Sequence, residues 1–224
     1  MNRQAPRTRI VSKDYAYMEI KKRIISGDLE PDQSLVEESL TSELEISRTP
    51  LREALQRLEM EELVVRQPNG RLKVASISKQ EIEEIFVARS MLEGIVAGQA
   101  AQKADEKDIQ KLSNILKQIE EASQAGDYKQ MTHYGGEFHT CLYGISGNKM
   151  TVKILILLND HIQRYRQLIP KRSKERTGKA VNEHNQILEH IIAKDVSGAE
   201  MAMREHILSS LAVLIANIEK HHEV

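Results

Sequence analysis

Two short β-prone runs, Leu63-Val64-Val65-Arg66-Gln67 and Arg71-Leu72-Lys73-Val74-Ala75, flank Pro68-Asn69-Gly70. An Asn-Gly step between such runs reads as a hairpin. What precedes the hairpin limits what it can belong to. Tyr17, Ile20, Ile24 and Ile25 follow a helical period across residues 14–26, and Gly27-Asp28 and Pro31-Asp32 end it. A second short helix is expected over residues 36–44. A third is expected from about Ser47, with Leu51, Ala54, Leu55 and Leu58 on one stripe. Three helices and then a hairpin, over residues 13–77, is the order of a winged helix-turn-helix.

The third helix carries the chemistry of this half. In Ser47-Arg48-Thr49-Pro50-Leu51-Arg52-Glu53-Ala54-Leu55, Ser47 is placed to cap the helix by accepting a backbone N–H. Pro50 falls in the first turn, where its missing N–H does no harm. Arg48 and Arg52 are four residues apart and share a face, while Leu51, Leu55 and Leu58 form the opposite, buried one. Two guanidinium groups and a threonine hydroxyl thus project from the first turns of an amphipathic helix. From there a recognition helix reads base edges and phosphates. An isolated Arg-x-x-x-Arg would read as ordinary surface; the helix before it and the hairpin after it decide otherwise.

Charge favours a positioned contact over a bulk one. The chain carries 32 Lys and Arg against 33 Asp and Glu, a net charge of −1, which excludes a globally basic nucleic-acid binder. Up to Ala75 there are 13 basic and 13 acidic residues, and beyond it 19 and 20. Residues 1–12 read as a flexible, solvated tail in which Arg3, Arg7 and Arg9 precede any acid. A single cysteine, Cys141, forbids an internal disulfide and suits a reducing cytoplasm. The first residues lack the apolar segment of a signal peptide, and the most apolar run, Ile154-Leu155-Ile156-Leu157-Leu158, is too short to span a bilayer. A cytoplasmic protein without a membrane partner is expected.

A different regime begins at Ser78. Ser78-x-x-Glu81 reads as a capping box before a helix reaching about Lys103, and Asp105 can cap a second, to about Ala125. Gly126-Asp127 separates a third, to about Ile145. Ser146-Gly147-Asn148 precedes a fourth that ends at Pro170. A fifth covers about residues 173–194, and Ser197-x-x-Glu200, a second capping box, opens the sixth. Six helices with short connections and no strand signal make a bundle over residues 78–224. The fold class is therefore mainly α, a winged helix-turn-helix followed by an all-helical domain.

The stretch Ser47 to Leu55 (SRTPLREAL), then Leu58-Glu59 and Leu63-Val64, resembles the helix-turn-helix of the GntR family of bacterial regulators, and the match extends over residues 14–77. Residues 78–224 are similar to the helical ligand-binding domain of its FadR-like branch, the FCD domain in its six-helix, VanR-like form. The resemblance implies that Arg48, Thr49 and Arg52 contact DNA and that Gly70 lies in the wing beside the minor groove. Family members usually have Gly where this chain has Asp32, Glu45 and Glu62. Those are turn positions, where Gly accommodates a positive φ and another residue costs about 1 kcal/mol.

Among eight histidines, His184 lies 11 residues before Asp195, at the turn between the last two helices, and His206 lies 11 after it. In an antiparallel pair they stand level, roughly 16 Å from the turn, as a shared metal requires. His139, in Gly136-Glu137-Phe138-His139, resembles the Phe-His signature of the FadR-like domain, where an Asp four residues earlier and three histidines hold a divalent metal. The resemblance makes His139, His184 and His206 the ligands, a set suited to zinc or nickel. The position four before His139 is Gly135 here, and Glu137 points to the wrong side of the helix. Four outcomes stay open: water or an acidic effector fills the place, another side chain reaches in, metal binding is weak or absent, or the histidines bind an effector directly.

Arg89 and Glu93 also resemble the family pattern and share a helix face, directed either at an effector or at each other as an ordinary ion pair. On the fourth helix of this half, His161, Arg164, Tyr165 and Arg166 are pocket candidates. Arg164 and Tyr165 stand foremost, because an arginine suits a carboxylate effector. Tyr134 and Cys141 read as core.

Together these features point to a transcription regulator, expected to be a repressor. As a homodimer it would set two recognition helices about 34 Å apart on double-stranded operator DNA, and a small organic acid would modulate it through a differential affinity for two states. Two alternatives are a metal-responsive sensor without an organic effector and a three-histidine metal-dependent hydrolase. Against the hydrolase stands the lack of a suitably placed carboxylate base. Glu183 and Glu205 adjoin His184 and His206, but helix neighbours point about 100° apart. No enzymatic activity and no catalytic residue are expected.

Overall fold

The computed structural model describes residues 12–166 and 174–222. Residues 1–11 of the expected tail, and the stretch where the fourth helix of the second half ends and the fifth begins, lie outside them, as does the side chain of Arg166. The chain divides into two compact units, the first ending at Ile77 and the second beginning at Ser78.

The first unit contains α1 (Ser12–Ser26), β1 (Ser34–Leu35), α2 (Glu37–Leu44), α3 (Arg48–Met60), β2 (Val64–Arg66) and β3 (Leu72–Val74). β2 and β3 pair antiparallel, Val64 opposite Val74. β1 has no counterpart in the sequence reading; it pairs antiparallel with β3 on the other side, Ser34 opposite Lys73, giving the strand order β1-β3-β2. Two residues hold too little of a period-2 pattern to register in a sequence. The apolar stripes of the three helices meet over the sheet in one core that includes Tyr17, Ile20, Ile24, Leu51, Leu55, Leu58, Leu63 and Val74. Leu51, Leu55 and Leu58 are at most 1 % exposed, and each such burial stabilises by about 1.5–3 kcal/mol. That anchors α3 and leaves its other face to solvent.

Of the three positions where glycine is absent, Glu45 and Glu62 lie at helix ends and Asp32 in the turn before β1. Asp32, Glu45 and Glu62 have φ of 65°, 52° and 58°. At the end of α2, Ile46 N–H donates to the Thr41 carbonyl, and at the end of α3, Leu63 N–H donates to the Leu58 carbonyl. Both are bonds that close a helix through a left-handed residue. Ser47 has the extended backbone of an N-cap, but its side chain makes no capping bond, contrary to the expectation from sequence.

The second unit contains α4 (Lys79–Lys103), α5 (Glu106–Ala125), α6 (Tyr128–Ser146), α7 (Lys149–Arg166), α8 (Lys174–Ile192) and α9 (Val196–His222). α4 is central, packing on α9 and touching α6, α7 and α8. Close approach to α9 depends on glycine: a Cβ built on Gly94 would lie 3.2 Å from the Glu200 carbonyl, and one on Gly98 only 2.6 Å from Glu200 Cγ. The caps differ from expectation at two of three sites. Asp105 and Asp108 form a full reciprocal box. Ser78 Oγ accepts from Glu81 N–H, but the Glu81 carboxylate accepts from Tyr165 OH at 2.6 Å. At α9 the cap is Asp195, whose Oδ1 accepts from Gly198 N–H. Glu200 leans towards α4 and pairs with Arg204.

Candidate functional site

On α3 the side chains of Arg48, Thr49 and Arg52 are exposed, directly opposite the buried leucines. Arg52 Nε donates to Glu37 Oε2 at 2.9 Å, so the first turn of α2 orients the guanidinium that α3 presents. Gly70 turns the hairpin with φ 80°, and its carbonyl accepts from Arg66 Nη1 at 3.2 Å. Arg66 Nη2 also reaches Glu59 of α3 at 2.9 Å, which ties the wing to the helix beside it. Sequence reasoning passes over Glu37, Glu59 and Arg66. No pattern within one element marks them, because each acts on a neighbouring element.

In the second unit α6, α8 and α9 each contribute one imidazole to a buried cluster. His139, His184 and His206 each offer a ligand nitrogen, and these atoms lie within 4.8 Å of one another. The His184 and His206 rings are 4.4 Å apart at their centroids, which follows from their equal distance from the Asp195 turn. Each Nδ1 has its own partner: Glu93 Oε2 at 3.1 Å for His139, the Ala180 carbonyl at 2.7 Å for His184, and Glu183 Oε2 at 2.9 Å for His206. Those acceptors place a proton on Nδ1 and leave Nε2 as the lone-pair donor in all three rings. Burial, ahead of every other cause, holds His206 down to about 4, so its ring is neutral at neutral pH. Three imidazoles with oriented Nε2 donors fit a divalent cation of the zinc or nickel kind.

A small cavity of about 40 Å³ adjoins the cluster and is lined also by Gly135 and Ser210. A Cβ built on Gly135 would lie 3.9 Å from His184 Nε2, so the position without a side chain faces the cluster. Two carboxylates stand near the histidines. Glu183 reaches His206 across the α8–α9 pair instead of its own neighbour, and Glu93 comes from α4. Both contact the outer nitrogens, so neither supplies the missing inner ligand.

Beside the cluster lies a second cavity of about 780 Å³, lined among others by Arg89, Lys129, His133, His139, Tyr143, Asn159 and Gln163. Arg89 and Glu93 face inward and are buried as an ion pair, 3.0 Å between Nη2 and Oε1. Burial by itself would raise the Glu93 carboxyl; the charges of His139 and Arg89 hold it well below the usual carboxylate range. Arg164 and Tyr165 do not line this cavity. Both are buried. The α7 residues that do are Val152, Ile156, Asn159 and Gln163, a run of three- and four-residue steps whose next members fall beyond Arg164 and Tyr165. Tyr134 is partly exposed, and Cys141 is buried.

Residues 13–74 match the family described as bacterial regulatory proteins, gntR family, and residues 84–209 match the FCD domain. The HTH-type transcriptional repressor GlaR of Escherichia coli is 30% identical over 207 residues, covering 88% of this chain and 93% of that protein. The HTH-type transcriptional regulator McbR of the same species is 23% identical over 201 residues, 88% of this chain and 89% of the other. A solved structure of McbR superposes with a TM-score of 0.75 at 22% identity, over 92% of this chain and 98% of that one. A GntR regulator from Rhodococcus gives 0.70 at 17% identity, over 91% and 97%. These are regulators, which sets the hydrolase reading aside. Among the described residues no helix is long and apolar enough to cross a membrane. The chain belongs to the GntR family, a DNA-binding transcription regulator with an FCD domain behind its winged helix-turn-helix.

Proposed function

We propose that the chain is a cytoplasmic, dimeric repressor whose hold on operator DNA is modulated by a small carboxylate in the 780 Å³ cavity, next to a divalent metal on the histidine cluster. The observation that carries the reading is that His139 belongs to both compartments. A ligand beside Arg89 therefore lies against the cluster. His139, His184 and His206 would hold the metal, and when bound it supplies a fixed positive charge for an anionic ligand. Arg89 supplies a second positive group from the chain itself, Lys129 a third, and the Asn159 and Gln163 amides fix orientation. A cavity of this size far exceeds what an ion needs, which disfavours a sensor of metal alone.

DNA reading falls to Arg48, Thr49 and Arg52 on α3, with Gly70 bringing the wing backbone close to the duplex. Repression is supported by the name of the Escherichia coli relative GlaR. A dimer is supported by exposed apolar side chains on the two adjoining helices α4 and α7: Val87 is 43 % exposed, Met91 55 %, Ile154 44 % and Leu157 61 %. The test is binding of the purified protein to genomic fragments against random duplex at moderate salt. Arg52→Ala should lower specific affinity by about 1–3 kcal/mol for each base pair it ceases to read, while circular dichroism stays unchanged. Equal preference for both duplexes by the wild type refutes the reading.

A further inference from the structure

Glu93 is 0 % exposed, and both its oxygens are engaged. Oε1 accepts from Arg89 Nε and Nη2 at 3.1 and 3.0 Å and from Tyr143 OH at 2.8 Å, while Oε2 faces His139 Nδ1 at 3.1 Å. One carboxylate thus joins an arginine and a tyrosine that line the large cavity to a histidine of the cluster. Glu183 does the corresponding service for His206 from α8. The two acids hold equivalent positions on their histidines, and through Glu93 that position is wired to the cavity wall.

We propose that Glu93 is a positioning residue that couples the two compartments, so that an anion on Arg89 and a metal on the histidines strengthen each other's binding. The inference rests on the metal reading given above. Arg89 has five N–H donors, of which Nε and Nη2 are directed to Glu93. An anionic ligand in the cavity takes up the remaining donors and draws the guanidinium from Glu93. The carboxylate, less neutralised, then pulls harder on the Nδ1 proton of His139 and makes Nε2 a better donor. By linkage the effect runs equally in the other direction. No atom has to travel far, because every group is already in hydrogen-bond contact.

Co²⁺ tests this without knowledge of the effector, since its visible absorption reports both affinity and ligand geometry. Titrations at mildly alkaline pH compare the wild-type protein, Glu93→Gln, Arg89→Met and the double variant. Glu93→Gln should bind Co²⁺ about 10–100-fold more weakly. Arg89→Met should tighten binding in the wild-type background and lose that effect when combined with Glu93→Gln, a non-additive cycle. A direct charge effect of Arg89 would instead be the same in both backgrounds. Tyr143→Phe keeps both charges and guards against misfolding of the single charge deletions; by taking a donor from Glu93 Oε1 it should tighten Co²⁺ binding by about two- to tenfold. Log-additive variants, or Glu93→Gln binding like the wild type, overturn the coupling and leave the metal site standing. A wild-type protein that takes up no Co²⁺ overturns both, and does so before any variant is made.

Discussion

Glu45 and Glu62 close helices in the left-handed region, with φ of 52° and 58°, and replacing each by glycine should stabilise the first unit. Both side chains are exposed, and among the described residues neither side chain takes part in a hydrogen bond or ion pair. The strain is therefore not offset by side-chain bonds. Relief of the Cβ clash is worth about 1–2 kcal/mol per residue, and the greater freedom of glycine in the unfolded chain takes back about 0.4–1 kcal/mol. The net expectation is roughly 0.5–1 kcal/mol for each of Glu45→Gly and Glu62→Gly, and about twice that for both, since they end different helices. Asp32 is the control. Its φ is 65°, but its carboxylate accepts from Lys73 Nζ and Ser76 Oγ, so Asp32→Gly gains the same relief, loses those bonds and should be close to neutral. Because the chain has two units, a single melting curve would mix them. The appropriate readout is hydrogen exchange of the slowest α3 amides, which open only with the unit. The double variant should slow them by about 5–30-fold. Unchanged or faster exchange in Glu45→Gly and Glu62→Gly refutes the argument that these turns are strained.

The close α4–α9 crossing predicts different outcomes at its two glycines. Gly98→Ala must push the flexible Glu200 side chain aside and should cost little, whereas Gly94→Leu must displace both Arg204 and the Glu200 carbonyl and should cost about 1–3 kcal/mol in urea unfolding. In metal-free protein, His206 takes up a proton near 4 in the fold against 6.5 ordinarily. Between those values the unfolded chain binds the extra proton, so stability rises with pH and is lost on acidification, by up to ~3 kcal/mol; His206→Gln should flatten that slope in denaturant midpoints. Gly135→Asp places a carboxylate beside His184 Nε2, where a Cβ has 3.9 Å of room, and should raise Zn²⁺ affinity by about tenfold or more; elemental analysis showing no gain would count against a metal at this cluster.

What can be read from the sequence is whatever one element encodes by itself. The leucine stripe of α3 fixes its buried face at 51, 55 and 58, and with it the exposure of Arg48 and Arg52. The Asp195 turn sets the level of His184 and His206, because an antiparallel pair carries equal rises from a common turn. Where a second element competes, the same reasoning fails. The capping-box pattern sends Glu81 back to Ser78, and Tyr165 of α7 takes its carboxylate. Glu183 points about 100° from His184 on its own helix, which argues against it as a partner there, yet that angle is what carries it across to His206. Arg164 and Tyr165 have the right chemistry for a pocket, and the phase of α7 about its axis, set by packing on α4, gives the cavity to Asn159 and Gln163 instead. Rotation of a helix about its axis and the register between helices are free parameters until the bundle closes. The residues that orient the histidines depend on both, so the ligands of such a site can be recognised in a sequence well before the groups that hold them in place.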